Sequence, residues 1–191
     1  MIKQCNAVGV DIIADVVLNQ TTGADVADGK QTGVAGTEYN GSTGDYPGFA
    51  TEQYPEGITA SDFHSCSKNI SNYANQQEVQ ECRLSSMWDF DSESEKVQDI
   101  QSDYLAALWN AGVRGFRMDA VKHIHTDSMK AIKEKFAKKI GVNADSIYWI
   151  QEVIGNSSEA AGIQPSNYVQ NGTVTEFGFK SEMNQTFKDK I

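Results

Sequence analysis

Three short apolar runs, each ending in polar groups and separated by helix-patterned stretches, constrain this chain most. Asp11 to Val17 leads into Leu18-Asn19, Val113 to Asp119 leads into Ala120-Val121-Lys122-His123, and Ile147 to Ile150 leads into Gln151-Glu152. After Asp91-Ser92, with Glu93 and Glu95 suited to a first turn, Val97, Ile100, Tyr104, Leu105, Leu108 and Trp109 recur at threes and fours. That spacing predicts a helix with one apolar face, closed by Gly112. A Thr126 or Asp127 cap opens a second helix, with Met129, Ile132, Phe136 and Ile140 inward, lysines toward water and Gly141 at its end. Strand–helix alternation with right-handed crossovers implies a parallel sheet. Strand ends rich in functional groups are how a barrel builds one site.

The middle run carries the densest chemistry. On a strand, residues two apart share a face, so Arg117 and Asp119 point one way and Phe116 and Met118 the other. An arginine favours the ionised form of an adjacent carboxylate, the state a nucleophile needs. Taken alone, the pair also reads as a structural Arg–Asp contact. Glu152 follows Ile147, Trp149 and Ile150, where desolvation favours the protonated form required of a proton donor. By itself, it also reads as a surface glutamate at a strand end.

ADVVLNQ (14–20), GFRMDAVKH (115–123) and IQEVI (150–154) resemble the first three conserved regions of the α-amylase family, glycoside hydrolase family 13. The second is the most specific, and the similarity runs through nearly the whole chain. KQCNAVGVDIIADVVLNQ and ISNYANQQEVQEC lean toward the bacterial and animal type. The resemblance implies an α/β fold: a partial (β/α)8 TIM barrel, about strands 3 to 6, with an irregular domain B inserted after strand 3. Residues 1–20 and 89–191 would be barrel and 21–88 the insert. It also implies hydrolysis of internal α-1,4-glucosidic bonds of starch or glycogen with retention, Asp119 as nucleophile, Glu152 as acid/base and Arg117 beside them. Gln20, Tyr73, Leu84, Lys122, His123, Ile154 and Glu159 match substrate-lining positions. Calcium would be held by the Asn19 side chain, the Asp89 carboxylate and the carbonyls of Gln80 and His123, an oxygen-rich set suited to that ion. Chloride is a further expectation, with Arg117 as one contact. The resemblance pairs Cys66 with Cys82, worth roughly 3 kcal/mol, which points to an extracellular setting. Cys5 is then left as a buried free thiol.

The remaining composition narrows partners. A net charge of −10 disfavours nucleic acid and anionic membranes, and no apolar run is long enough to span a bilayer. Met1 to Cys5 opens no signal peptide. The stretch from Thr21 to about Ser86 is rich in Gly, Ser, Thr and Asn and contains Pro47 and Pro55. Tyr39, Tyr46, Phe49, Tyr54, Phe63 and Tyr73 are its candidate core. Residues 1–8 read as helix ended by Gly9, Thr173 to Phe179 as a strand, and Lys180 to Ile191 as a helix.

Two departures from the family pattern stand out. Gln20 occupies the place of a sugar-binding histidine and cannot become cationic. The chain also stops before the family's fourth region, with its third carboxylate. Eight strands do not close from one copy, so the open edges call for self-association or other cover. The alternative function is a catalytically impaired fragment serving as a glucan-binding or assembly module.

Overall fold

The structure, a computed structural model, describes residues 1–21, 30–33, 36, 38–40 and 57–188. After α1 (Ile2–Asn6), strands β1 (Ile12–Val16), β4 (Val113–Met118), β5 (Tyr148–Gln151) and β6 (Thr173–Val174) form one parallel sheet in that order. The antiparallel pair β2 (Lys30–Thr32) and β3 (Glu38–Asn40) is separate. Helix α2 (Gln76–Glu81) precedes the crossover helices α3 (Glu95–Asn110) and α4 (Thr126–Ile140), and α5 (Gly178–Lys188) ends the described chain. This is the expected partial barrel: parallel strands joined through helices.

The sheet has two unlike faces because side chains alternate along each strand. Val16, Phe116, Met118 and Trp149 point to the helices, where they meet Leu105, Met129, Ile132 and Phe136 in one buried core. The rings of Phe116 and Phe136 meet edge to face, 5.3 Å apart. The opposite face carries Ile13, Asp15, Arg117 and Tyr148. Gly115 lets two of these close over the sheet: a Cβ there would lie 2.9 Å from Tyr148 and 3.3 Å from Ile13. Gly112, at φ +109°, is required similarly, since a Cβ would press on Asn6 and Ile2.

Several expectations need correction. The nearly continuous apolar run of β1 suits a parallel strand covered on both sides, yet Ile13 and Val17 are about half exposed. The buried face of α3 is Val97, Gln98, Gln101, Ser102 and Leu105, and Tyr104 is exposed. Polar residues serve there because Gln101 donates to the Leu18 carbonyl and to Ser92 Oγ, satisfying the end of β1. The helix starts after Ser94, not Ser92, which leaves Glu93 outside it. His125, rather than Thr126 or Asp127, is the N-cap of α4. Lys133 on α4 is buried and donates to the Asn171 carbonyl at 2.7 Å. β6 is only two residues long, and α5 begins at Gly178, whose N–H donates to Glu176. Cys5 is half-buried rather than buried.

Cys66 and Cys82 form a disulfide with Cα atoms 4.9 Å apart. Phe63 stacks on Phe90 at 4.3 Å and meets Trp88 edge-on. Tyr46, Pro47, Phe49, Tyr54, Pro55 and the Tyr39 side chain lie outside the described residues. Tyr73 faces Lys122 and His123 rather than an aromatic core.

Candidate functional site

The end of β4 gathers charge around one guanidinium. Asp15 is register partner to Arg117, on the same face. Arg117 Nη1 donates to Asp119 Oδ1 at 2.5 Å and to Asp15 Oδ1 at 2.7 Å, and Nη2 lies 3.0 Å from Glu152 Oε1. Burial opposes the charge on Arg117, but its bonds to Asp15 and Asp119 outweigh that and raise its pKa. The backbone fixes the two strand-end carboxylates. Asp119 N–H donates to the Val16 carbonyl and Glu152 N–H to that of Met118, both at 2.9 Å. Ala120 takes a left-handed conformation (φ +48°), costly for a residue with a Cβ. That turn aims its N–H at Glu152 Oε2, 2.9 Å away. Strain of this kind gathers at functional sites. Glu152 therefore sits among donors rather than in the purely apolar setting read from Ile147 to Ile150. Asp119 and Glu152 bind the two Nη nitrogens of one guanidinium, which brings to one place the two carboxyl groups that glycoside cleavage requires.

A cleft of about 370 Å³ opens beside Glu152 and Ala120, lined further by Tyr73, Leu84, Lys122, His123, Ile154 and Glu159. Six of the seven residues expected to line a substrate site thus converge. Lys122 is buried, and a buried ammonium needs a partner. It pairs with Glu159 at 2.6 Å and lies 5.2 Å from the Tyr73 ring centroid. Burial lowers the pKa of His123, whose Nδ1 is 2.9 Å from the Val79 carbonyl. Gln20, the seventh, is not in the cleft wall. It is buried in a bridge with Asp89, and its amide nitrogen and oxygen have no hydrogen-bond partner among the described residues.

Three of the four expected calcium ligands converge beneath the cleft's His123. Asn19 Nδ2 lies 2.5 Å from Asp89 Oδ1 and 3.1 Å from the His123 carbonyl, and all three residues are buried. Rotating the Asn19 amide would turn its oxygen inward, a choice set by the surrounding hydrogen bonds. One carboxylate, one carbonyl and one amide fit a hard cation. Gln80 sends its side chain to Tyr168 Oη and the Ile124 carbonyl, on a helix packed against the turn Val121–His123.

A second charged group adjoins this one and escaped the sequence reading. His64 Nδ1 lies 2.6 Å from Asp89 Oδ2, while its Nε2 lies 3.1 Å from Glu93 Oε2 and 3.7 Å from Asp91 Oδ1. His125 Nε2 lies 2.7 Å from the other Glu93 oxygen. Burial opposes a charge on His64, but hydrogen bonds to Asp89 and Glu93 push its pKa up to about 10. Burial raises Asp89 to about 6. The available signal was Asp89, Asp91 and Glu93 at alternate positions, together with two histidines distant in sequence. Asp15 was missed as well, although its alternation with Ile13 and Val17 places it on the open face.

The family model described as "Alpha amylase, catalytic domain" matches residues 1–190. An α-amylase from Pecten maximus is 33% identical over 193 residues, covering 100% of this chain and 37% of its own. The crystal structure of wild-type α-amylase I from Eisenia fetida superposes with a TM-score of 0.75 at 34% identity, covering 93% of this chain and 35% of that one. A variant of the same earthworm enzyme, in complex with maltohexaose, is similar at a TM-score of 0.76 and 33% identity, with the same coverage. The chain spans little more than a third of the length of these proteins.

Proposed function

The chain belongs to the α-amylase family, and we propose that it carries the central part of a retaining site for α-1,4-glucans. Asp119 attacks the anomeric carbon and forms the glycosyl–enzyme bond. Glu152 gives its proton to the departing glycosidic oxygen, then takes one from the water that releases the sugar. Arg117 holds the Asp119 carboxylate by a charge-assisted bond. Tyr73, Leu84 and Ile154 offer apolar surface to a sugar ring, and the Lys122–Glu159 pair offers groups that reach its hydroxyls. The single observation carrying this reading is that one guanidinium joins Asp119 and Glu152, with Glu152 in a cleft wall.

Calcium is read at Asn19, Asp89 and the His123 carbonyl, with the Gln80 carbonyl as fourth ligand. When bound, it supplies charge that ties the segment around α2 to the ends of β1 and β4. Residues 21–88 are read as the inserted domain B. The disulfide supports an oxidising, extracellular compartment. Both Nη nitrogens of Arg117 already face carboxylates, so chloride there requires one to withdraw. The exposed apolar side chains of edge strand β1 support self-association.

The test is release of reducing ends from soluble starch by the purified protein with calcium, compared with Asp119→Asn. Turnover should fall by about four orders of magnitude or more while circular dichroism is unchanged. Activity surviving in pure Asp119→Asn would overturn the assignment. Wild-type protein that retains starch and releases no reducing ends would establish the binding-module reading instead.

A further inference from the structure

We propose that His64, Asp91 and Glu93 form a second cation site, selective for a borderline divalent metal such as zinc and distinct from the oxygen-rich site at Asn19. Their ligand atoms all lie within 4.8 Å of one another, and His64 Nε2 faces both carboxylates. Imidazole nitrogen suits zinc and is a poor ligand for calcium or magnesium, which prefer oxygen alone. Three protein ligands of nitrogen and carboxylate type leave a fourth position open to water, an arrangement zinc commonly takes.

The surrounding contacts match what such a site needs. A zinc-bound histidine ordinarily gives its other ring N–H to a carboxylate, which fixes the ring and strengthens the ligand. His64 Nδ1 has that partner in Asp89 at 2.6 Å. Glu93 is positioned through its second oxygen by His125. The backbone beneath is pinned: His64 N–H donates to the Asp89 carbonyl, Asp91 N–H to the Asp62 carbonyl, and Phe63 stacks on Phe90 between them. His64 is mostly buried while Asp91 and Glu93 reach solvent, so a hydrated ion can approach. On binding, zinc takes the nitrogen lone pair of His64 Nε2 and the proton there leaves to solvent. Because Asp89 touches both Asn19 and His64, the two cation sites share one carboxylate. The metal would fasten the segment holding His64 to the one entering α3.

Zinc titration by calorimetry, on protein held in excess calcium, tests the site. One zinc should bind with calcium still in place, and X-ray absorption should show mixed nitrogen and oxygen ligation. His64→Gln and Glu93→Gln should each weaken binding at least about tenfold. Asp91→Asn, at a partly exposed side chain, should weaken binding as well. Cys5→Ser should leave the affinity unchanged, which separates this site from the free thiol. Loss of zinc binding in Cys5→Ser would overturn the proposal, as would competition by calcium for a single site. So would an affinity unaltered in folded His64→Gln and Asp91→Asn.

Discussion

The two faces of the one sheet are built from the same strands and do opposite work. On the helix side, Phe116 and Met118 are fully enclosed and Trp149 nearly so. On the other, Asp15, Arg117 and Tyr148 are open to solvent to varying degrees, and the charged cluster sits among them. The strand's period of two lets stability and chemistry be encoded in alternate residues, so each can be changed with little cost to the other. Arg117 lies between two core residues in sequence, and its side chain points to the opposite face of the sheet.

Mutations can break that separation. Phe116→Ala should cost about 3–5 kcal/mol, as for large aromatic truncations in a core, read from chemical denaturation. Tyr148→Ser, on the open face and about half exposed, should cost under about 0.5 kcal/mol. Comparable losses at both positions would mean that the open face is covered in solution.

The calcium reading sharpens the contrast from the side of the segment around α2. Chelation with EDTA should lower the melting temperature and added calcium restore it. The effect approaches about 2.7 kcal/mol when calcium stands at a hundred times its dissociation constant. No shift would count against the Asn19–Asp89–His123 site.

A smaller effect belongs to Glu78 on α2, which accepts from the N–H groups of Ser71 and Asn72 and from the Ser71 hydroxyl. Those bonds, the Ser71 backbone foremost, lower its pKa from 4.5 to about 2. The unfolded chain therefore binds that proton more readily. The stabilisation is present in full above about 4.5 and is lost as pH falls toward 2. Melting temperature should drop across that window in the wild type, and less steeply in Glu78→Gln.

Much of this was legible in the chain itself. The alternation at Phe116, Arg117, Met118 and Asp119 showed which side chains share a face, and the strand–helix order implied a parallel sheet. Resemblance drew Lys122, Glu159 and Tyr73 to one place; no local pattern shows that the first two form a pair. Gln98, Gln101 and Ser102 carry no apolar signal, yet they are buried because each finds a carbonyl: Gln101 that of Leu18, distant in sequence, Gln98 that of Ser92 and Ser102 that of Asp99. His64 and His125 were overlooked because Glu93, which joins them, read as a first-turn acid. Tertiary partners decide such positions, and periodicity does not record them.

The central claim is that Asp119 is the nucleophile. The most direct measurement uses an activated fluorosugar whose leaving group departs without acid help, incubated with Glu152→Gln so that the glycosyl–enzyme accumulates. Peptide mapping by mass spectrometry should then find the sugar on Asp119. An adduct on Asp15 or Glu159, or none in folded protein that binds glucan, would contradict the account.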